Sequence, residues 1–342
     1  MTMKKTALLI SLLLLISSIL VGCGKDSTSG TSNNATASEG DPLSISIGHT
    51  LAPESHYHVM ATKMAEIAAE KSDGKIEIKV FPQSQLGGEV KMIQGARSGT
   101  LDMLVTAQAP LTTTIEEYAL FDIPYLFDSI DQANGILAGP VGDKFLDMLP
   151  EHDMVGLGWL SVMERNVFAS KPVKSVKDLE SFKIRVMQSP GYVEAYEAYG
   201  AQPTPMAYSE LYMSLQQGLV DGGDTSPDQF VMDKFDEVAK YYNLTKTHHL
   251  PALLIVSKKK WDSYSEEQKE ILNSAAEEAL AYGIDYYKQS YDESIEKMKE
   301  ANVEVVETDL DSLKAESEKV NESLLSEIPD GEQLFEEIQK EK

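Results

Sequence analysis

Cysteine and positive charge are both scarce in this chain. Cys23 is the single cysteine among 342 residues, so no internal disulfide can form and a packed core has to hold the fold. The 30 Lys and Arg residues face 55 Asp and Glu residues, which gives a formal net charge of −25. Such an acidic balance argues against binding to nucleic acid and against a basic face for membranes, and it favours solubility.

Catalytic motifs are absent as well. The sequence has no G-x-S-x-G elbow, no H-E-x-x-H pair, no Walker loop and no G-x-G-x-x-G turn. His56 and His58 are two residues apart and would point to different sides of a helix, which disfavours a metal site there. We therefore expect neither an enzyme nor a bound cofactor or metal.

The N-terminal segment is typical of an exported protein. Residues 1–22 begin with Lys4 and Lys5 and continue as an apolar run, which predicts a signal peptide. Leu20-Val21-Gly22-Cys23 resembles the lipobox of bacterial lipoproteins, in which the cysteine is lipidated and becomes the mature N-terminus. The alternative is an uncleaved membrane anchor, for which the run is short.

A polar linker separates this segment from the body of the chain. Residues 23–40 are rich in Ser, Thr, Gly and Asn, which predicts a flexible tether between lipid and domain. The 302 residues from 41 to 342 are enough for two globular domains or one large one.

The body alternates strand and helix patterns, which predicts an α/β fold. Residues 43–48 alternate as a strand, and Ser55 can cap a helix that runs to Lys71. Ser265-Glu266-Glu267-Gln268 has capping-box spacing and predicts the start of a helix that extends to about residue 301. Such a helix is long enough to bridge two lobes. The other predicted elements are helices at 88–98, 132–149, 190–199 and 208–219, and strands at 76–80, 102–107, 153–162, 182–187, 243–247 and 252–256.

One of these strands carries an unexpected arginine. In SFKIRVMQSPG (residues 181–191), Phe182, Ile184 and Val186 alternate onto one face, and Arg185 belongs to the other face. The pattern alone leaves open whether Arg185 faces water or a partner. If an acidic protein binds an anion, it needs a few well-placed cations of this kind.

Seven segments between Ile47 and about Ile271 recur in order and spacing in one known family. They are IGHTLAPESHYHVMATKMAE, GKIEIKVFPQSQLGGE, GTLDM, FDIPYLF, FKIRVMQSP, AYGAQPTPMAYSELYMSLQQGLVDG and KFDEVAKYYNLT. Together they resemble the substrate-binding proteins of tripartite ATP-independent periplasmic (TRAP) transporters, of the C4-dicarboxylate-binding, DctP-like family. The resemblance weakens beyond residue 275.

The resemblance implies a two-domain periplasmic-binding-protein fold with a central ligand cleft. The first domain would hold residues 41–162 and 251–290, and the second 163–250 and 291–342. Such a protein would capture a small organic acid outside the cell, while lipid-anchored to the membrane through Cys23, and deliver it to TRAP permease subunits. A receptor for another import or sensing system is an alternative, and a secreted enzyme is a less favoured one.

The resemblance also implies the ligand contacts. Arg185 would clamp a ligand carboxylate with two parallel N–H bonds, which a planar guanidinium can supply. Arg165 matches a second arginine of the family, although it could be a surface residue. Tyr208 would lie against the ligand carbon chain or else pack in the core.

Three further positions, Thr50, Glu89 and Gln108, match cleft residues of the first domain that recognise the far end of the ligand. Glu89 would favour a hydroxyl or amino group over a second carboxylate, because like charges repel, or it could instead cap its own helix. The family commonly has Gln-Glu-Asn where this chain has Gly223-Asp224-Thr225. Thr225 therefore replaces the amide that often supports the ligand carboxylate.

Overall fold

The structure, a computed structural model, describes residues 42–342 and contains two β-sheets flanked by helices. The predicted signal peptide, Cys23 and the tether lie outside the described residues. The α/β class predicted from the sequence is confirmed.

The described residues form eleven strands and eleven α-helices. The strands are β1 Leu43–Gly48, β2 Ile76–Phe81, β3 Met103–Ala107, β4 Met154–Trp159, β5 Met163–Ala169, β6 Lys183–Val186, β7 Gln202–Pro205, β8 Gly222–Thr225, β9 Tyr241–Leu250, β10 Ala252–Ser257 and β11 Glu304–Glu307. The helices are α1 His56–Lys71, α2 Glu89–Ser98, α3 Ile130–Leu137, α4 Pro140–Leu146, α5 Pro190–Ala198, α6 Leu211–Gln216, α7 Pro227–Met232, α8 Lys258–Trp261, α9 Glu266–Glu300, α10 Leu310–Glu327 and α11 Gly331–Glu341.

The first sheet has five strands in the order β2-β1-β3-β10-β4. Strand β1 pairs in parallel with β2 and β3, while β10 runs antiparallel to β3 and β4. Helix α1 begins as the sequence predicts, because the Ser55 side chain accepts a hydrogen bond from the His58 N–H. The parallel strands direct their carboxyl ends, and the loops that follow, to one edge of the sheet.

The second sheet has six strands in the order β11-β9-β5-β8-β6-β7. Strand β5 pairs antiparallel with β8 and β9, and β6 pairs in parallel with β7 and β8. Strand β8 lies at the centre between β5 and β6, where glycine is required. A Cβ on Gly222 would lie 2.4 Å from the Phe168 carbonyl oxygen, so only glycine permits this approach.

Within residues 42–342 the strands change sheet after β4, after β9 and along α9, and the helices after β11 return to the first sheet. The domain limits given above stay a prediction. Helix α11 carries Leu334 and Ile338, which belong to the same core cluster as Phe121 and Phe145 beside the first sheet. The C-terminal end of the chain therefore packs on the side of the first sheet.

Helix α9 confirms the prediction of a long helix, with 35 residues and a capping box between Ser265 and Gln268. Its buried side chains recur every three or four residues, from Leu272 to Met298, and form one continuous stripe. A Cβ on Gly283 would lie 2.9 Å from the Met60 Cβ, so this glycine allows close packing against α1. None of the helices in residues 42–342 combines the length and the apolar character needed to cross a membrane.

Several elements differ from the sequence predictions. The single helix predicted at 132–149 is wrong, because the chain forms α3 and α4 with a break at Gly139 and Pro140 at the first position of α4. Strands β5, β7, β8 and β11 and helices α7, α8, α10 and α11 were not predicted. Arg185 is 1% exposed, so the alternative in which it faces water is wrong.

Candidate functional site

A narrow cavity collects most of the residues singled out in the sequence. Its wall includes residues from both sheets. Six of the seven predicted ligand contacts line it, namely Thr50, Glu89, Arg165, Arg185, Tyr208 and Thr225. The seventh, Gln108, is not part of the wall.

The position of the cavity follows from the strand order. Thr50 lies just after β1, Ala107 ends β3 and Thr225 ends β8, so the wall gathers carboxyl ends of strands from both sheets. In open α/β sheets, ligands bind in the crevice outside these ends, where loops and helix starts supply polar groups. The arrangement is therefore that of a binding cleft.

Arg165 is neutralised inside the protein. Its Nε donates to Asp224 Oδ2 at 2.7 Å and its Nη2 donates to Oδ1 at 2.9 Å, a two-point ion pair between strands β5 and β8. The main-chain carbonyl of Asp224 also accepts from Nη2. Burial would raise the pKa of Asp224, but the Arg165 guanidinium outweighs it and holds this pKa below its ordinary value.

Arg185 has no such carboxylate partner in the described part of the chain. Its Nε and Nη2 donate to the main-chain carbonyl of Met206 at 3.1 and 2.9 Å. Its Nη1 is buried and donates to no group in the part of the chain that the structure describes. No carboxylate in the described part of the chain lies within ion-pair distance of the Arg185 guanidinium. Arg185 is therefore a buried cation in the cavity wall with one free donor edge.

Arg185 is positively charged at neutral pH although it is buried. Burial and the neighbouring Arg165 lower the pKa of Arg185 to about 10, so the guanidinium remains protonated at neutral pH. Its Cζ lies 5.6 Å from the centre of the Tyr208 ring, which offers a cation–π contact. The Tyr208 hydroxyl donates to Asp233 Oδ2 at 2.6 Å, and this bond fixes the ring beside the guanidinium.

Glu89 lies in the wall contributed by the first sheet. Its Oε1 accepts from the Ala107 N–H at 2.9 Å and from the Thr106 hydroxyl at 3.2 Å. Burial raises the pKa of Glu89, and the Ala107 bond and the Arg185 charge oppose that rise. Glu89 is also the first residue and the acidic first-turn residue of α2, so its charge lies at the N-terminus of that helix, and both alternatives for Glu89 stay predictions.

Gln108 lies in a separate buried polar cluster. Its Nε2 donates to Asp122 Oδ1 at 3.0 Å, and the Ser189 hydroxyl donates to Oδ2 of the same carboxyl group. Burial raises the pKa of Asp122 to about 7. The cluster joins Gln108 and Asp122 to Ser189 at the start of α5, and Gln108 as a ligand contact stays a prediction without geometric support.

Sequence reasoning missed two polar residues at the cavity, Asp224 and Gln229, and the other wall residues Leu51, Tyr57, Ala107, Met163, Met187 and Leu250. Asp224 binds Arg165, yet 59 positions separate them and no local pattern links them. Gln229 is 1% exposed and lines the cavity from α7, a helix that the sequence analysis did not identify. The Ser226-Pro227 step before it is a helix-start signal that could have revealed the element.

The cavity is suited to hold an anion rather than to transform it. Its wall offers one buried cation with a free donor edge, one carboxylate and several neutral groups. Among residues 42–342, no group of three or more His, Cys, Asp or Glu residues could hold a metal ion.

Solved structures with the same fold hold acids. The chain superposes with a TM-score of 0.85 on the sugar acid binding protein DctPAm of Advenella mimigardefordensis in complex with galactonate, at 30% identity over 88% of this chain and 99% of that one. A TRAP periplasmic solute binding protein of Chromohalobacter salexigens with bound D-glucuronate gives 0.84 at 29% identity, over 87% of this chain and all of that one.

The sequence comparisons agree. The 2,3-diketo-L-gulonate-binding periplasmic protein YiaO of Escherichia coli is 32% identical over 300 residues, 86% of this chain and 91% of that protein. The model for the bacterial extracellular solute-binding proteins of family 7, DctP, matches residues 47–328. These relatives bind solutes for transporters and are not enzymes, which confirms the prediction of a binding protein. The chain therefore belongs to the DctP family of TRAP-transporter solute-binding proteins.

Proposed function

We propose that the chain is the extracytoplasmic lipoprotein of a TRAP transporter that captures a small organic acid through Arg185 and delivers it to the membrane permease. The observation that carries the proposal is the free Nη1 edge of Arg185, a buried cation that no carboxylate of the described residues neutralises. Buried charges need a partner, and a ligand carboxylate would supply one with two-point geometry.

The other residues of the cavity wall favour an acid with polar groups as the ligand. Thr225 ends the strand beside Arg185 and Arg165, while Glu89 offers an acceptor from the opposite sheet. A second carboxylate would meet repulsion from Glu89, so we infer a monocarboxylate with hydroxyl groups rather than a C4-dicarboxylate. The galactonate and D-glucuronate bound to the structural relatives belong to this class.

Replacement of Arg185 tests the proposal. Arg185→Ala should weaken binding of galactonate or D-glucuronate by a hundredfold or more, since loss of one partner of a buried ion pair costs about 3–5 kcal/mol. Arg185→Lys should restore little, because an ammonium lacks the planar two-point fork. Titration calorimetry measures the affinities, and Arg97→Ala on the exposed side of α2 is the control. Binding by Arg185→Ala within about threefold of the parent protein would exclude the role.

The lipid anchor is a second part of the proposal. It rests on the apolar run before Leu20-Val21-Gly22-Cys23 and on the polar linker that follows. We expect the expressed chain to fractionate with membranes and to carry lipid on Cys23, as mass spectrometry would detect. Cys23→Ser should lose the lipid, whereas Ser27→Ala in the linker should keep it. A wild-type protein without lipid at Cys23 would contradict the anchor.

A further inference from the structure

Gln229 presents an unpaired acceptor to the same cavity. It lies in α7, directly after the strand end that carries Thr225, and it is 1% exposed. Its Oε1 is buried and accepts no hydrogen bond from any residue in the described range 42–342. An unpaired buried acceptor is unfavourable, so the site is incomplete without a donor at this point.

A neighbouring carboxylate fixes the orientation of this amide. Gln229 Nε2 donates to Asp228 Oδ2 at 2.8 Å, and the Ser226 hydroxyl donates to Oδ1. Asp228 is fully buried, and His56 Nδ1 lies 3.6 Å from its Oδ2. Burial would raise the pKa of Asp228, but His56 and the Ser226 and Gln229 bonds hold it below the ordinary value.

The ionised carboxylate only accepts hydrogen bonds, so the NH₂ group of Gln229 has to face it. A flipped amide would place Oε1 against Oδ2, two acceptors with no proton between them. The oxygen is therefore the atom left for the cavity. A ligand that fills this position has to bring a donor.

We propose that Gln229 is a specificity-determining residue whose Oε1 accepts a hydrogen bond from a ligand hydroxyl, so that the site takes hydroxylated acids in preference to plain alkanoates. The inference rests on the proposed function. A hydroxyl is favoured over an ammonium group, because the neutral amide cannot compensate a buried positive charge. A second carboxylate has no donor to offer and is excluded on the same ground.

The test compares acids of equal chain length with and without hydroxyl groups. The probes are D-erythronate against butyrate and galactonate against hexanoate, measured by calorimetry. The parent protein should prefer the hydroxylated acid of at least one pair by about tenfold or more. Gln229→Met keeps the length and apolar bulk of the side chain but loses the amide acceptor. It should reduce that preference by about tenfold, while alkanoate affinity stays within about threefold.

Controls separate this inference from the proposed function. Gln217→Met, on the exposed side after α6, should keep the preference. If Gln229→Met fails to fold, Gln229→Leu repeats the test. An unchanged preference in these variants, with binding still lost in Arg185→Ala, overturns the inference and leaves the proposed function standing. Acid binding that survives Arg185→Ala, or no binding of any of the four acids, overturns both.

Discussion

The two arginines of the cleft differ in what surrounds their charge. Arg165 has a carboxylate partner within the protein, whereas Arg185 contacts a carbonyl and an aromatic face and has no carboxylate partner among residues 42–342. Arg165 is therefore neutral as a unit with Asp224 and contributes to the shape of the wall. Arg185 keeps its attraction for an incoming anion. Substitution of Asp224 separates these roles.

Asp224→Asn should destabilise the protein by about 3–5 kcal/mol at pH 7, because it leaves the buried Arg165 charge without its partner. The pKa of Asp224 is below its ordinary value in the folded state, so the ion pair contributes fully above the unfolded pKa of about 3.9. That contribution is lost as the pH falls through the lower folded pKa. Urea unfolding should therefore give a constant difference between parent and variant from about pH 5 to 7, and a smaller one below about pH 4.

The matched control for this change is Asp285→Asn, an exposed aspartate of α9, which should alter stability by less than about 0.5 kcal/mol. A loss of under about 1 kcal/mol in Asp224→Asn would mean that Arg165 finds another partner or becomes hydrated. The same result would follow if the strands relaxed and exposed the guanidinium. Either outcome would contradict the role given to this ion pair.

At the scale of elements, the sequence predicted correctly the helices and strands that are determined by neighbouring residues in the chain. The strand at 43–48 and the helices capped by Ser55 and Ser265 carry their start signals within a few residues, and the structure has them where the sequence indicates. The prediction of one helix at 132–149 is wrong, because Gly139 and Pro140 end the first helix and start a second one within the apolar run.

The central strand β8 could not be predicted from its own residues. Its sequence, Gly-Gly-Asp-Thr, has little strand propensity, and it is a strand because β5 and β6 pair with it on either side. The same limit applies to the site. Arg185 and Thr225 were found through family resemblance, whereas Asp224 and Gln229 acquire their roles only from contacts across the fold.

At the scale of the molecule, the residues proposed to contact the ligand are buried. Arg185 and Thr225 are each 1% exposed and Glu89 is 8% exposed, so a ligand cannot reach them without separation of the two walls. The walls come from different sheets, which the described part of the chain connects by the two short crossings, α9 and the C-terminal helices after β11. A ligand that contacts both walls would therefore favour the closed arrangement over an open one.

Ligand binding should then be visible as thermal stability. A ligand that binds only the folded protein stabilises it by about 2.7 kcal/mol at a hundredfold excess over its Kd, which corresponds to a rise in Tm of about 4 °C for a chain of this size. We expect such a rise with D-glucuronate or galactonate in a thermal-shift assay. D-glucose, which has a hydroxymethyl group in place of the glucuronate carboxylate, should give none, because it cannot neutralise Arg185. Arg185→Ala should abolish the rise with the acids. A rise with glucose or with divalent metals alone would contradict an acid-binding cleft.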